Sequence, residues 1–460
     1  METIQPVLEE KPKGKRRLFR SPWIRATAAL LALILFLGVG WNLLAGVTLK
    51  RSGDGDLQDA AAGYLLDHTA YTNAGAWQRA QTALLAGTKV PETYGDYEVL
   101  ASTYLAKEDY EKALPYFVKC IELYDGSDAG RAELWMKRAC LEALMGNYSD
   151  AQNSLSAMFD LGYSSPEAYL LRGQIYYQQG QLILAEKDFT VYLDQRPEDL
   201  QMCAALGEIA YANTHYARAI QCYSVVLDHP ESEYYSSELL LRRAACYMQG
   251  QSYEQGVADC TTYLSQNGTG DGSALFLRGA QYAALGQDES AMTDFLSAAE
   301  AGYSMQSSCY EQAAGCAYRL GLYDVCLTYG EKAFSGKGGI TQPAALYELM
   351  GLSCLSNQST SEAIRWFDLA LDAEPDFLEV AYFRGVAQMA NGDFEKAIAD
   401  FTVAIDGGIN MQACYYNRGV CYVSLKQTQS GLDDLTLAAQ GEDADIAAQA
   451  QEILQLLKQG

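Results

Sequence analysis

Histidine is nearly absent from this sequence: His68, His215 and His229 are the only 3 in 460 residues. The 12 cysteines form no Cys-x-x-Cys pair. A zinc site needs ligands clustered at short spacing, so no metal site is supported, and a Cys–His nucleophilic pair has no basis either. The stretch Ser335-Gly336-Lys337-Gly338-Gly339-Ile340-Thr341 lacks the Gly-Lys-Ser/Thr ending of a phosphate loop and follows a helical pattern rather than a strand, so it reads as a connector. Basic residues are also scarce, 33 Lys and Arg against 58 Asp and Glu, giving a formal charge of -25. The imbalance is uneven: residues 1–50 sum to +5 and the remainder to -30. A body of that sign repels phosphates and anionic headgroups, which argues against nucleic acid as a partner. No catalytic, metal or cofactor residue is assigned, and an enzyme is not expected.

Charge is missing altogether from Ala26 to Leu49, a run of 24 residues. As a helix it would cross about 30 Å of hydrocarbon. Seven basic residues from Lys11 to Arg25 precede it, whereas Lys50 and Arg51 are soon followed by Asp54 and Asp56. The positive-inside rule then keeps the N-terminus in the cytoplasm and places the rest of the chain outside. A cleaved signal peptide is the alternative, but its apolar core is shorter, about 7–15 residues. The resulting plan is a basic segment at 1–25, a transmembrane helix at 26–49 and a polar linker at 50–60. A degenerate capping repeat at 61–93, a repeat array at 94–440 and a capping helix at 441–460 follow. Ile446, Ile453, Leu454, Leu456 and Leu457 would cover the last unit.

What is present in abundance is a pattern. Leu171 to Pro197 spells two short amphipathic helices meeting at Gln179-Gly180, with Gly173 and Tyr176 on the first and Leu182, Ala185, Phe189 and Tyr192 on the second. Pro197 ends the unit. The small-residue slot of Gly173 recurs every 34 to 38 residues as Ala101, Ala139, Gly207, Ala244, Gly279, Ala314, Gly351, Gly385 and Gly419. The second-helix slots of Ala185 and Phe189 recur in phase, for instance as Ala363 with Phe367 and Ala397 with Phe401. The unit holding Gly330 in the aromatic slot departs furthest. Three slots in register over ten units make each unit one helix-turn-helix.

This order of residues resembles the tetratricopeptide repeat (TPR) family, most closely at Asn391-Gly392-Asp393-Phe394-Glu395-Lys396-Ala397-Ile398. The resemblance implies an all-α, right-handed superhelical solenoid of about ten repeats, here preceded by one transmembrane helix. It also implies a concave groove lined by the first helices, which takes extended or helical peptides. Carried over, the groove would present Tyr177, Tyr211, Tyr382 and Tyr416 with Glu167, Glu208, Glu238, Glu348 and Glu379 among them. Tyrosine suits a binding surface, although these rings would equally pack unit against unit. The glutamates favour a basic or amine-bearing protein or peptide. Lys and Asn of the family's carboxylate clamp are absent, since the matching positions hold Leu170, Gln174, Ala204 and Glu208.

One internal correlation is independent of the family. Arg stands just before the small slot at Arg138, Arg172, Arg243, Arg278, Arg384 and Arg418, and five of these have Asp 16 residues later: Asp188, Asp259, Asp294, Asp400 and Asp434. Contact between the helices of a unit, or between successive units, would explain it, because the planar guanidinium grips a carboxylate bidentately. Duplication alone would also copy both residues. The cysteines mostly replace Ala or an aromatic and read as buried free thiols; Cys309/Cys316 and Cys414/Cys421 lie two helical turns, about 10 Å, apart, too far to bridge.

These features describe a membrane-anchored, non-enzymatic scaffold outside the cytoplasmic membrane. A receptor or assembly factor facing the cytoplasm and a cell-wall glycan-binding accessory are the alternatives.

Overall fold

The computed structural model describes residues 54–68 and 75–459; the segment read as transmembrane, 26–49, lies outside the described residues. Among the described residues there are 23 helices and no strand, and none of these helices is long and apolar enough to cross a membrane.

The chain divides into two compact units, the first ending at Gly250. The first unit contains α1 (Asp54–His68), α2 (Gly75–Leu85), α3 (Tyr94–Leu105), α4 (Tyr110–Leu123), α5 (Asp128–Leu144) and α6 (Tyr148–Asp160). It continues with α7 (Pro166–Gln178), α8 (Leu182–Gln195), α9 (Leu200–Ala212), α10 (Tyr216–Leu227) and α11 (Glu238–Gln249). The second unit holds α12 (Tyr253–Asn267), α13 (Gly272–Ala284), α14 (Asp288–Glu300), α15 (Gln306–Arg319), α16 (Tyr323–Ser335) and α17 (Pro343–Ser356). It ends with α18 (Thr360–Ala373), α19 (Leu378–Asn391), α20 (Phe394–Asp406), α21 (Met411–Ser424), α22 (Thr428–Ala439) and α23 (Ala444–Gln459).

Within each unit, consecutive helices such as α3 with α4, α7 with α8 and α19 with α20 pack as pairs, and each pair packs on the next. Short polar caps start several first helices. Thr93 forms a capping box with Asp96, and the side chains of Ser127, Ser165, Asp199 and Asp271 accept amide hydrogens of their own helices. Seven residues after each small slot the chain turns through a positive φ in all ten repeats. Gly146, Gly180, Gly286, Gly321 and Gly392 take the turn in five, and Glu108, Thr214, Gln251, Gln358 and Lys426 in the others.

The small slot exists because the second helix drives a ring against it. A methyl group added at Gly173 would lie 2.6 Å from the Phe189 ring, at Gly207 2.6 Å from Tyr223 and at Gly351 2.5 Å from Phe367. Where the facing residue is Leu155, the slot holds Ala139 instead. Close packing limits what the slot can hold, although Ala101 stands against Phe117 and Gly419 against Leu435. The irregular unit closes its packing differently: with Gly330 in the aromatic slot, Met350 from the following first helix fills the space, and its sulfur would sit 2.7 Å from a methyl at Gly330.

The two ends differ from the sequence expectations. α1 begins at Asp54, inside the stretch expected to be a linker. Nor do α1 and α2 pair as a degenerate repeat. α2 packs on α3, while α1 crosses the first helices α5 and α7. At the far end α23 packs on α22 and α21, burying Ile446 and Ile453 and half-burying Leu454 and Leu457; Leu456 stays 61% exposed and covers nothing.

Candidate functional site

First helices such as α7 and α19 meet their own second helix and the second helix before it, which leaves one stripe of their surface to face neither. Four of the expected Arg–Asp pairs lie between the two helices of a repeat. Arg172 grips Asp188 through Nε and Nη2 at 2.6 and 2.9 Å, Arg278 grips Asp294 at 2.7 and 2.8 Å, and Arg418 grips Asp434 at 2.7 and 3.0 Å. Arg384 does the same to Asp400, at 2.7 Å through both nitrogens. The third nitrogen reaches back one repeat: Arg278 Nη1 donates to Thr261 Oγ1 at 3.2 Å, Arg384 to Asp368 at 2.7 Å and Arg418 to Thr402 at 2.9 Å. One guanidinium therefore ties three helices together, and hydrogen bonding to Asp400 raises the pKa of Arg384. Arg243 lies in the first unit, where it donates to Ser224 at 2.9 Å, and Asp259 lies in the second. Arg138 lacks the Asp because its repeat places the carboxylate elsewhere: Glu142, 2% exposed, accepts from Arg138 Nε at 2.7 Å and from Ser154, the residue in the Asp slot, at 2.6 Å.

The expected groove residues separate into two classes. Tyr177 and Tyr211 stand four residues after their glycines, half-buried against the clusters of α7–α11, and Tyr211 meets the Tyr216 ring edge-on at 6.0 Å. Tyr382 and Tyr416 stand three residues before theirs and do not present a surface at all, each being 3% exposed. Tyr382 lies against Phe383 and Phe401, with centroids at 5.3 and 6.1 Å, and Tyr416 faces Glu452 of the closing helix α23, with burial raising its pKa. Both belong to the core, a correction that follows from rings folding over their own second helix or under α23.

Most of the acidic candidates already have donors. Glu167 accepts from Arg196 at 3.3 Å, Glu208 is paired with Arg242 and accepts from the Tyr223 hydroxyl at 2.9 Å, and Glu238 accepts from Ser236. Glu348 is different. It occupies the slot three before Gly351 on α17, and no donor among the described residues reaches its carboxylate. Desolvation, with Glu379 and Glu374 adding repulsion, pushes its pKa up to about 8. The same slot on α15 holds Glu311, 2% exposed, whose oxygens accept the backbone N–H groups of Thr341 and Gln342, each at 3.1 Å. Two consecutive amides of the α16–α17 connector thus satisfy one carboxylate, while half-buried Glu348 in the next repeat has no such amides.

Other features offer less. An open concavity of about 370 Å³ is lined by Phe159, Tyr163, Tyr169 and Arg172, but this guanidinium is committed to Asp188 and stacks on Phe159 at 4.5 Å. All 12 cysteines are free and buried, and burial raises their thiols, Cys203 to about 11. No group of three or more metal-binding side chains forms among the described residues. Sequence reasoning missed α1, whose Leu57, Ala61 and Leu65 lie four apart; that spacing was the available signal.

Family models described as tetratricopeptide repeat match residues 97–126, 136–199 and 348–411. No curated protein matches the chain. Among solved structures, the C-terminal part of a TPR repeat-containing protein from Cytophaga hutchinsonii is 18% identical, with 53% of this chain and 98% of that one covered and a TM-score of 0.44. YrrB, a TPR protein with an unusual peptide-binding site, is 18% identical over 42% of this chain and 97% of its own, with a TM-score of 0.38. A tetratricopeptide repeat protein from Parabacteroides merdae is 19% identical over 56% and 98%, with a TM-score of 0.32. The matched stretches fall on α3–α4, α5–α8 and α17–α20, and the chain carries tetratricopeptide repeats there.

Proposed function

We propose that this protein is a non-enzymatic scaffold, tethered to a membrane by residues 26–49, that docks a basic protein or peptide on the first-helix stripe of its repeats outside the cytoplasmic membrane. The observation that carries the reading is Glu348. A half-buried carboxylate beside two others is costly to ionise unless a cation joins it, so the site gains most from an ammonium or guanidinium. Glu379 and Glu374 extend the same preference, and the net charge of -30 over residues 51–460 draws such partners in. With its pKa pushed up to about 8, Glu348 would release a proton on binding a cation at pH 7.

The test is a titration of the full chain with an acetylated, amidated peptide of alternating Gly and Lys. Affinity should rise about tenfold from pH 7 to pH 9 as Glu348 ionises, with a proton released on binding at pH 7. The Glu348→Gln variant should bind weakly and without that pH dependence. Equal affinities for the two proteins at both pH values would reject the reading.

A further inference from the structure

The first-helix stripe of the first unit is not bare. α1 packs across α5 and α7, the first helices of two successive repeats, and on no second helix to a comparable extent. Its Leu57, Ala61 and Leu65, spaced four apart, are 3%, 1% and 1% exposed and join one buried cluster with Met136, Ala139 and Cys140 of α5 and Leu171 and Ile175 of α7. A large, a small and a large residue on one helix edge give α1 an apolar edge that sits down closely. Residues of α5 and α7 that would otherwise face a groove are thereby covered. This is helix-in-groove docking carried out within one chain.

The charges on the two sides do not match. α1 carries Asp54, Asp56, Asp59 and Asp67 and no basic residue. It lies beside Glu133 of α5 and Glu167 of α7, both of which act on Tyr64 of α1. Those glutamates rely on Lys137 at 2.6 Å and Arg196 at 3.3 Å for their partners. The apolar edge of α1 therefore fits, while its sequence brings no basic residue to Glu133 and Glu167.

We propose that α1 is a built-in occupant standing in for the true ligand of this stripe, and that an amphipathic partner helix with the same large–small–large edge and basic flanks displaces it. The inference rests on the first-helix stripe being the docking surface, and it adds the form of the ligand and a release step. The acidic α1 keeps the stripe covered until a helix arrives that satisfies both the apolar edge and Glu133 and Glu167. Partner binding and loss of α1 are then one event, and anything that anchors α1 more firmly weakens binding by the same factor.

The test compares the full chain with its Leu57→Asp/Leu65→Asp variant. The probes are a synthetic peptide of residues 54–68 and the same peptide with its four Asp replaced by Lys. The 54–68 peptide should bind the variant at least tenfold more tightly than the wild type and restore hydrogen-exchange protection to α5 and α7. The Lys peptide should bind the variant more tightly still, and should release α1 of the wild type into rapid exchange. Equal binding of the 54–68 peptide to both proteins, or to neither, would overturn the proposal. So would collapse of α5–α8 protection in the variant, which would make α1 part of the folding core. The Gly-Lys titration at Glu348 reads the second unit alone, so its success alongside a failure here would remove only the role of α1.

Discussion

At the scale of single residues, the arginine before the small slot has the largest structural consequence. Arg418 holds Asp434, which is only 5% exposed, and reaches back to Thr402. Truncation to Ala strands a buried carboxylate, and a partner lost from such a pair costs about 3–5 kcal/mol. Urea denaturation of Arg418→Ala should show a loss of that order, while Asp434→Asn combined with Arg418→Ala should recover part of it. A loss below about 1 kcal/mol would mean that the pair is inherited rather than used. The pairing was legible in the sequence as a fixed offset of 16 residues. Its extension to the previous repeat was not, because the acceptors Thr261, Asp368 and Thr402 share a position but not a chemistry. Tyr382 and Tyr416 show the converse failure. Their helical face was right, but position along the helix decides whether a ring reaches solvent or folds over Phe401, and periodicity does not carry that information.

At the scale of the helix pair, the turn between the helices sets the register. All ten turns need a left-handed residue, and half of them meet the need without glycine. Thr214, at φ 62°, is the least suited, because a β-branched side chain crowds its own backbone there. Thr214→Gly should therefore stabilise the first unit by about 1 kcal/mol, raising the midpoint of thermal unfolding by a few degrees; a lower midpoint would show that the Thr214 side chain contributes contacts outweighing its strain. The pairs themselves were readable because small slot, turn and aromatic slot are local and periodic. The N-terminal helices were not, because α1 docks on helices about 75 and 110 residues further along the chain and no local pattern encodes partners so distant.

At the scale of the whole chain, the acidic body and the repeated first-helix stripe point the same way. One stretch of stripe is covered by α1, and another presents Glu348 without a donor. Second helices expose apolar residues as well: Leu369, Val403 and Leu437 recur in one slot of α18, α20 and α22, and Ile183 stands beside Leu184 on α8. The account as a whole turns on which helix face meets partners. The most direct measurement places a photocrosslinking side chain at Leu352, beside Glu348 on α17, or at Leu369 on the outer face of α18, in cells making the full chain. Adducts from position 352 that disappear when Glu348→Gln is added, with none from position 369, are the predicted result. Adducts from position 369 alone, or in equal yield from both, would contradict it.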